Sequence, residues 1–193
     1  TDHVVADAEG HDDVLVGPGD RIVAQIDKSP DAIALYLACL RTGVIFIPIN
    51  TAYTDAEVQY FVDDASAAML VCTPARVDDL AGLAARVESL GIDGSGSLPA
   101  LAARANPDEA VAEVAADDIA CILYTSGTTG RSKGAMLTHG SLLVNGRALH
   151  RLWGFEPDDV LLHILPVFHV HGLFVALHPA MLNGSEVIFC PSF

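Results

Sequence analysis

Basic charge is scarce in this chain: 10 Lys and Arg stand against 25 Asp and Glu, a formal net charge of −15 over 193 residues. Affinity for nucleic acid or an anionic membrane rests on clustered Lys and Arg, so neither is expected as a partner. Cysteine is sparse too. Cys39, Cys72, Cys121 and Cys190 are far apart, each within an apolar stretch, with no CxxC or Cys/His ligand spacing. That pattern argues for reduced core residues rather than a zinc site, with a disulfide pair as the alternative. No segment combines a basic start, an apolar centre and a small-residue cleavage site, and the acidic opening TDHVVADAEGHDD has the wrong sign for a transit peptide. A cytoplasmic location is the expectation. The long apolar stretches, residues 33–49 and 160–190, are broken by Arg41, Pro48, Pro166, Pro179 and several histidines. A membrane span tolerates these poorly, so both are expected in a buried core. There is no internal repeat.

What is present is apolar bulk, 51% of residues, enough for one well-buried core. The acidic excess is uneven. Residues 1–118 hold 21 acidic and 6 basic side chains, whereas residues 119–193 hold 4 of each, so the second part can host an anion.

The local patterns predict alternating strands and helices. RIVAQID (residues 21–27) reads as a strand, and Ser29-Pro30 supplies an N-cap and first-turn proline for a helix ending near Gly43. Residues 44–49 form the next strand. Thr54 and Glu57 make a capping box for a helix to about Ala65, followed by a strand at residues 69–72. Residues 75–90 carry a weaker helical pattern, GIDGSGS (residues 91–97) a loop, and residues 106–118 an acidic solvated connection. Residues 119–124 are an apolar strand and residues 135–137 a short one, after which Thr138 caps a helix towards Trp153. Residues 160–165 and 187–190 read as strands, separated by a helix over residues 172–182 that Gly184 ends. Such alternation implies an α/β layered fold: a mainly parallel sheet with flanking helices, and a site at loops after strands.

The chemistry is concentrated in YTSGTTGRSKG (residues 124–134), where three glycines, five serine and threonine hydroxyls and two cations follow a buried strand. Glycines let the backbone approach a ligand, so that successive N–H groups can form an anion nest; the hydroxyls add donors, and Arg131 and Lys133 add charge. The run is not a Walker A loop, because its lysine follows a serine rather than a glycine. The competing reading is an ordinary surface turn, since Ser, Thr and Gly favour loops for local reasons.

YTSGTTGRSKGAMLTH (residues 124–139) resembles the phosphate-binding signature of the adenylate-forming superfamily of acyl-CoA synthetases, adenylation domains and luciferases. Ser132 stands where that signature usually has proline. The resemblance extends over residues 17–65 and to LPVFHVHGLFVALHPAMLNGSEVIF (residues 165–189). NTAYT, GRSKGAML and HVHGLF are most similar to the malonyl-CoA synthetase branch. It implies a carboxylate–CoA ligase that uses ATP, Mg2+ and coenzyme A: a small-molecule carboxylate attacks the α-phosphate, and the thiol then displaces AMP. By carry-over, Thr125, Ser126, Gly127, Thr128, Thr129 and Gly130 cradle the β- and γ-phosphates and Lys133 pairs with the departing pyrophosphate. Arg131 receives no firm role. His169 borders the acyl-adenylate in a positioning role.

The remaining histidines have plainer expectations. For His171 a hydrogen-bonded core residue is expected, with a share in the role of His169 as the alternative, whereas His139, His163 and His178 are expected to be core residues outright. His163, His169 and His171 lack the spacing and carboxylate of a metal set, so no protein-held metal is expected, and magnesium would arrive with ATP. A malonate substrate would call for arginine at its second carboxylate, and Arg147 and Arg151 are the candidates, both on the helix after Thr138.

The superfamily's magnesium-binding glutamate, ribose-binding aspartate and C-terminal domain with its lysine have no counterpart in this sequence. Residues 1–193 are therefore expected to be a partial AMP-binding domain, inactive alone and prone to self-association through exposed edges. Two alternatives stay open: an amino-acid adenylation domain, and an autonomous nucleotide-binding or interaction module.

Overall fold

A computed structural model describes residues 16–105, 110–125 and 131–190. Its elements run β1 (Arg21–Gln25), α1 (Pro30–Thr42), β2 (Ile45–Pro48), α2 (Asp55–Ala65), β3 (Met69–Cys72), a 3-10 turn (Pro74–Arg76), β4 (Arg86–Ser89), α3 (Ser97–Ala102), β5 (Ile119–Thr125), β6 (Lys133–Thr138), α4 (His139–Trp153), β7 (Val160–His163), a π-helical segment (His171–Leu177), α5 (His178–Asn183) and β8 (Glu186–Phe189).

Local chemistry sets the helix boundaries where it was expected to. The Ser29 hydroxyl accepts the Ala32 N–H at 3.1 Å and Pro30 sits in the first turn of α1. Gly43 closes that helix at φ 72°, a left-handed conformation that glycine reaches without a side-chain clash. The Glu57 carboxylate accepts from both the N–H and the hydroxyl of Thr54 at 2.8 Å, which holds its pKa below the ordinary range and fixes the start of α2. Thr138 and Ser141 exchange reciprocal bonds of 3.0 and 3.1 Å at the start of α4.

Six strands form one sheet in the order β4-β3-β1-β2-β5-β6, parallel except for the antiparallel β5–β6 hairpin. Alternate residues of each strand face opposite sides. On one side Ile22, Ala24, Phe46 and Val71 meet Ile33 and Tyr36 of α1, Leu142 of α4 and Phe174 of the π-helical segment. On the other, Val23, Ile47, Leu70 and Ile122 meet Val58, Phe61 and Val62 of α2. The fold is thus the expected layered α/β arrangement with a mainly parallel sheet. β7 and β8 pair in parallel as a separate two-stranded sheet.

Two expected helices differ. Residues 75–90 are not one helix: only the turn Pro74–Arg76 is helical, Gly82 adopts φ 83°, and residues 86–89 become β4 on the free edge of β3. An unpaired strand edge outweighs a weak amphipathic pattern, because each pairing satisfies backbone groups that a frayed helix leaves to water. The helix expected over residues 172–182 is divided into the π-helical turns and α5. Pro179 lacks an N–H and would clash in the middle of a continuous α-helix, and it lies instead in the first turn of α5. No helix among the described residues is long and apolar enough to cross a membrane.

Candidate functional site

Strands β1 to β5 point the same way, so their carboxyl ends meet along one edge of the sheet. After β1 the chain turns to α1 on one face, and after β2 to α2 on the other; such divergence opens a crevice where α/β proteins bind ligands. Here the crevice is filled. Gln25 donates to the carbonyls of Asn50 at 3.2 Å and Tyr53 at 2.9 Å. Val167 and Phe168 close over Ala24, Ile26 and Pro48, leaving a cavity of about 10 Å³, room for one water at most. A ligand larger than water does not fit there, and the hydroxyl-rich loop begins along the same edge beside β2, at the end of β5.

The β5–β6 hairpin sets the two ends of that loop. Tyr124 is registered with Gly134 and Thr125 with Lys133. Ser126, Gly127, Thr128, Thr129 and Gly130 lie outside the described residues. Thr125 and Lys133 are both exposed. Among the described residues the Lys133 ammonium has no hydrogen-bond or ion-pair partner, which leaves a cation available at the loop mouth.

Helix α2 holds this hairpin from the side. The Tyr124 hydroxyl donates to Asp64 at 2.7 Å, and the Tyr124 ring lies 4.6 Å from that of Phe61. Burial, reinforced by the Asp64 carboxylate, pushes the Tyr124 phenol well above its ordinary pKa, so it stays a donor. The Tyr60 hydroxyl donates to the Ser132 carbonyl at 2.8 Å, and the Arg131 guanidinium lies 5.6 Å from the centre of the Tyr60 ring.

The second expected element, the segment carrying His169, reaches the same edge. Val167 and Phe168 are seated on the ends of β1 and β2, and Lys28, just after β1, donates from Nζ to the His163 carbonyl at 2.7 Å. Lys28 also lies 4.7 Å over the Phe189 ring, and its burial lowers its pKa. His163 is 1% exposed and donates from Nε2 to the Gly172 carbonyl at 2.8 Å. His178, packed against Tyr36, and His139 are both half-buried; burial lowers the pKa of all three.

His171 corrects the expectation of a core histidine. It is exposed and stacks on the exposed His169 ring, 5.5 Å between centroids at 18°. Gly172 must be buried for the turn to close, and the residue before it is thereby carried outward. Arg147 and Arg151 are exposed on α4. Among the described residues no three His, Cys, Asp or Glu side chains are placed to hold a metal ion.

Residues 13–193 match the family model described as AMP-binding enzyme. The chain belongs to that family. It is similar to MatB from Rhodopseudomonas palustris in its ATP-bound crystal structure, with 49% identity and a TM-score of 0.88 over 93% of this chain and 36% of that one. A feruloyl-CoA synthase of Amycolatopsis sp is 33% identical over 92% of this chain and 35% of its own length. A malonate–CoA ligase of Arabidopsis thaliana is 32% identical over 91% and 30% respectively. The chain thus spans about a third of the length of these AMP-binding relatives.

Within this AMP-binding chain, sequence reasoning missed Tyr60, Asp64 and Lys28. The only available signal was that Tyr60 and Asp64 stand four apart, on one face of a capped helix. Nothing local tells that this face meets a hairpin 60 to 72 residues later.

Proposed function

We propose that this chain is the ATP-binding part of an AMP-forming acid–CoA ligase. The substrate carboxylate attacks the α-phosphorus, forming the acyl–phosphate bond as the α–β bridging bond breaks and pyrophosphate leaves. The coenzyme A thiol then gives up its proton and attacks the acyl carbon, and AMP departs. An anion must approach a polyanion in the first step, so preorganised donors and cations carry much of the stabilisation. Thr125 and residues 126–130 are assigned to the β- and γ-phosphates and Lys133 to pyrophosphate. His169 is assigned to the border of the acyl site. Magnesium is taken to enter on ATP, since no cluster among the described residues fits it.

The observation that carries this reading is the β5–β6 hairpin at the carboxyl edge, which fixes Thr125 opposite an exposed Lys133 that has no partner among the described residues. Malonate is proposed as the acid on the strength of the malonate–CoA ligase relative, with Arg147 or Arg151 facing its second carboxylate. The acidic surface speaks against a nucleic-acid partner. Self-association belongs to the same reading: β6 is an edge strand exposing Met136, and Val160, Leu162 and Ile188 are exposed on the β7–β8 pair.

The test is calorimetric titration with Mg-ATP of this chain and of one extended to the full length of its relatives, the latter also supplied with malonate and coenzyme A. Nucleotide binding with malonate-dependent AMP release supports the proposal. AMP release with a different acid, or an amino acid, keeps adenylation and removes malonate. No nucleotide binding by either chain removes the phosphate-loop assignment.

A further inference from the structure

The two cations at the loop mouth are held differently. Lys133 is exposed with no described partner, whereas the Arg131 guanidinium lies against the face of Tyr60, 5.6 Å from its centre. The same tyrosine donates its hydroxyl to the carbonyl of the intervening residue, Ser132, at 2.8 Å. Tyr60 therefore touches two successive residues of the returning arm of the loop, one through its π-face and one through its hydroxyl. Four residues on, Asp64 accepts from Tyr124, on the outgoing arm. Both contacts come from one face of α2, a helix fixed at its start by Thr54 and Glu57 and seated on the sheet by Val58, Phe61 and Val62.

We propose that Tyr60 is a positioning residue that clamps the returning arm of the phosphate loop, with Arg131 serving as the clamp's cationic half rather than as a phosphate ligand. The assignment rests on the ligase reading for the identity of the ligand but not for the clamp itself. A guanidinium spread over an aromatic face has its hydrogen-bonding edge still solvated, but its position is set by the ring. Holding Arg131 and Ser132 to α2 fixes the backbone one residue before Lys133. It thereby aims Lys133, the cation assigned to pyrophosphate, and a displacement of about 1 Å in such a group is costly to a bound transition state. The distribution of labour follows: Arg131 holds the loop, and Lys133 meets the nucleotide.

A double-substitution cycle separates this from the alternative in which Arg131 binds phosphate independently. Tyr60→Leu, Arg131→Ala and the pair are compared for Mg-ATP affinity in the chain extended to its relatives' length. The clamp predicts that each single change weakens ATP binding about threefold to tenfold, and that the pair is no worse than the weaker single variant. Multiplying losses would overturn it, because Arg131 would then act without Tyr60. Unchanged affinity in Tyr60→Leu would overturn it as well.

Tyr60→Phe keeps the ring and its contacts with Phe61, so it guards against a folding defect. Amide hydrogen exchange on the 193-residue chain without nucleotide supplies a readout independent of activity. Exchange at residues 132–134 should rise at least about threefold in Tyr60→Phe, since the Ser132 carbonyl loses its partner, while β1 and β3 amides are unaffected. Equal exchange in this arm overturns the clamp even where ATP binds normally. A native chain that binds no ATP would instead remove the ligase reading and leave this exchange result to decide the clamp.

Discussion

The Tyr36 hydroxyl lies 2.7 Å from Nε2 of His178, with the two rings stacked 5.8 Å apart at 15°. The phenol and the imidazole share this one hydrogen bond, and the imidazole tautomer decides which of them donates. The pair ties α1 to α5. Burial is the main cause that drives the His178 pKa down to about 4, against 6.5 for a free histidine.

Stability should consequently fall as the solution is acidified from pH 6.5 to pH 4. Across that window the unfolded chain binds a proton at His178 that the folded chain does not, so the folded state loses up to about 3 kcal/mol by the bottom of it. His139 and His163, also lowered by burial, act in the same direction. Urea unfolding at pH 7 and pH 4.5 checks this, with His178→Gln as the comparison. The variant should be weaker at pH 7 yet lose less on acidification; an equal loss would assign the effect to other groups.

Lys133→Ala should weaken Mg-ATP binding roughly tenfold, in keeping with one charge-assisted contact at an exposed loop. Because the side chain is exposed and has no partner among the described residues, the urea midpoint should stay within experimental error of the native one. Equal affinity in a calorimetric titration would remove the lysine from the phosphate site.

What the sequence disclosed and what it withheld divide along the range of the interaction. Ser29, Thr54, Thr138, Gly43 and Gly184 announce helix ends because a cap involves groups within four residues of each other. The hydroxyl-rich loop stood out as a candidate for the same reason, since its glycines, hydroxyls and cations are consecutive. Strand order was not, because placing β1 between β2 and β3 depends on contacts across the chain. Residues 86–89 read as helix since their partner strand is invisible locally. His171 misled by sitting in an apolar run, where only the closed turn at Gly172 decides which neighbours face outward.

Tyr124→Phe removes the hydroxyl that donates to Asp64 at 2.7 Å and keeps the ring against Phe61. Asp64 is exposed and recovers water, so the cost should be only about 1 kcal/mol, measurable as a lowered urea midpoint with an unchanged slope. Since Tyr124 sits at the outgoing arm of the loop, ATP affinity should fall as well. A loss of affinity without any loss of stability would show that the hydroxyl acts on the ligand and not through α2.

Gly172 marks the other place where the backbone leaves no room. A Cβ there would stand 2.1 Å from the Pro166 carbonyl oxygen, and that oxygen belongs to the main chain, so it cannot swing aside as a flexible side chain would. Gly172→Ala must open the turn over residues 166–172, which carries His169, and must strain the bond from His163 to the Gly172 carbonyl. Lys28 donates to the carbonyl of that same histidine, so the disturbance reaches the end of β1. We expect a loss of about 1–3 kcal/mol, at the upper end of that range. Gly154→Ala supplies the contrast: it has φ 64° but nothing within 4 Å of the added carbon, so only the left-handed backbone is penalised, at about 1 kcal/mol. If urea unfolding gives Gly172→Ala the larger loss, crowding against Pro166 is what requires glycine. Equal losses would mean that the turn opens without cost, and the seating of His169 at the sheet edge would not depend on it.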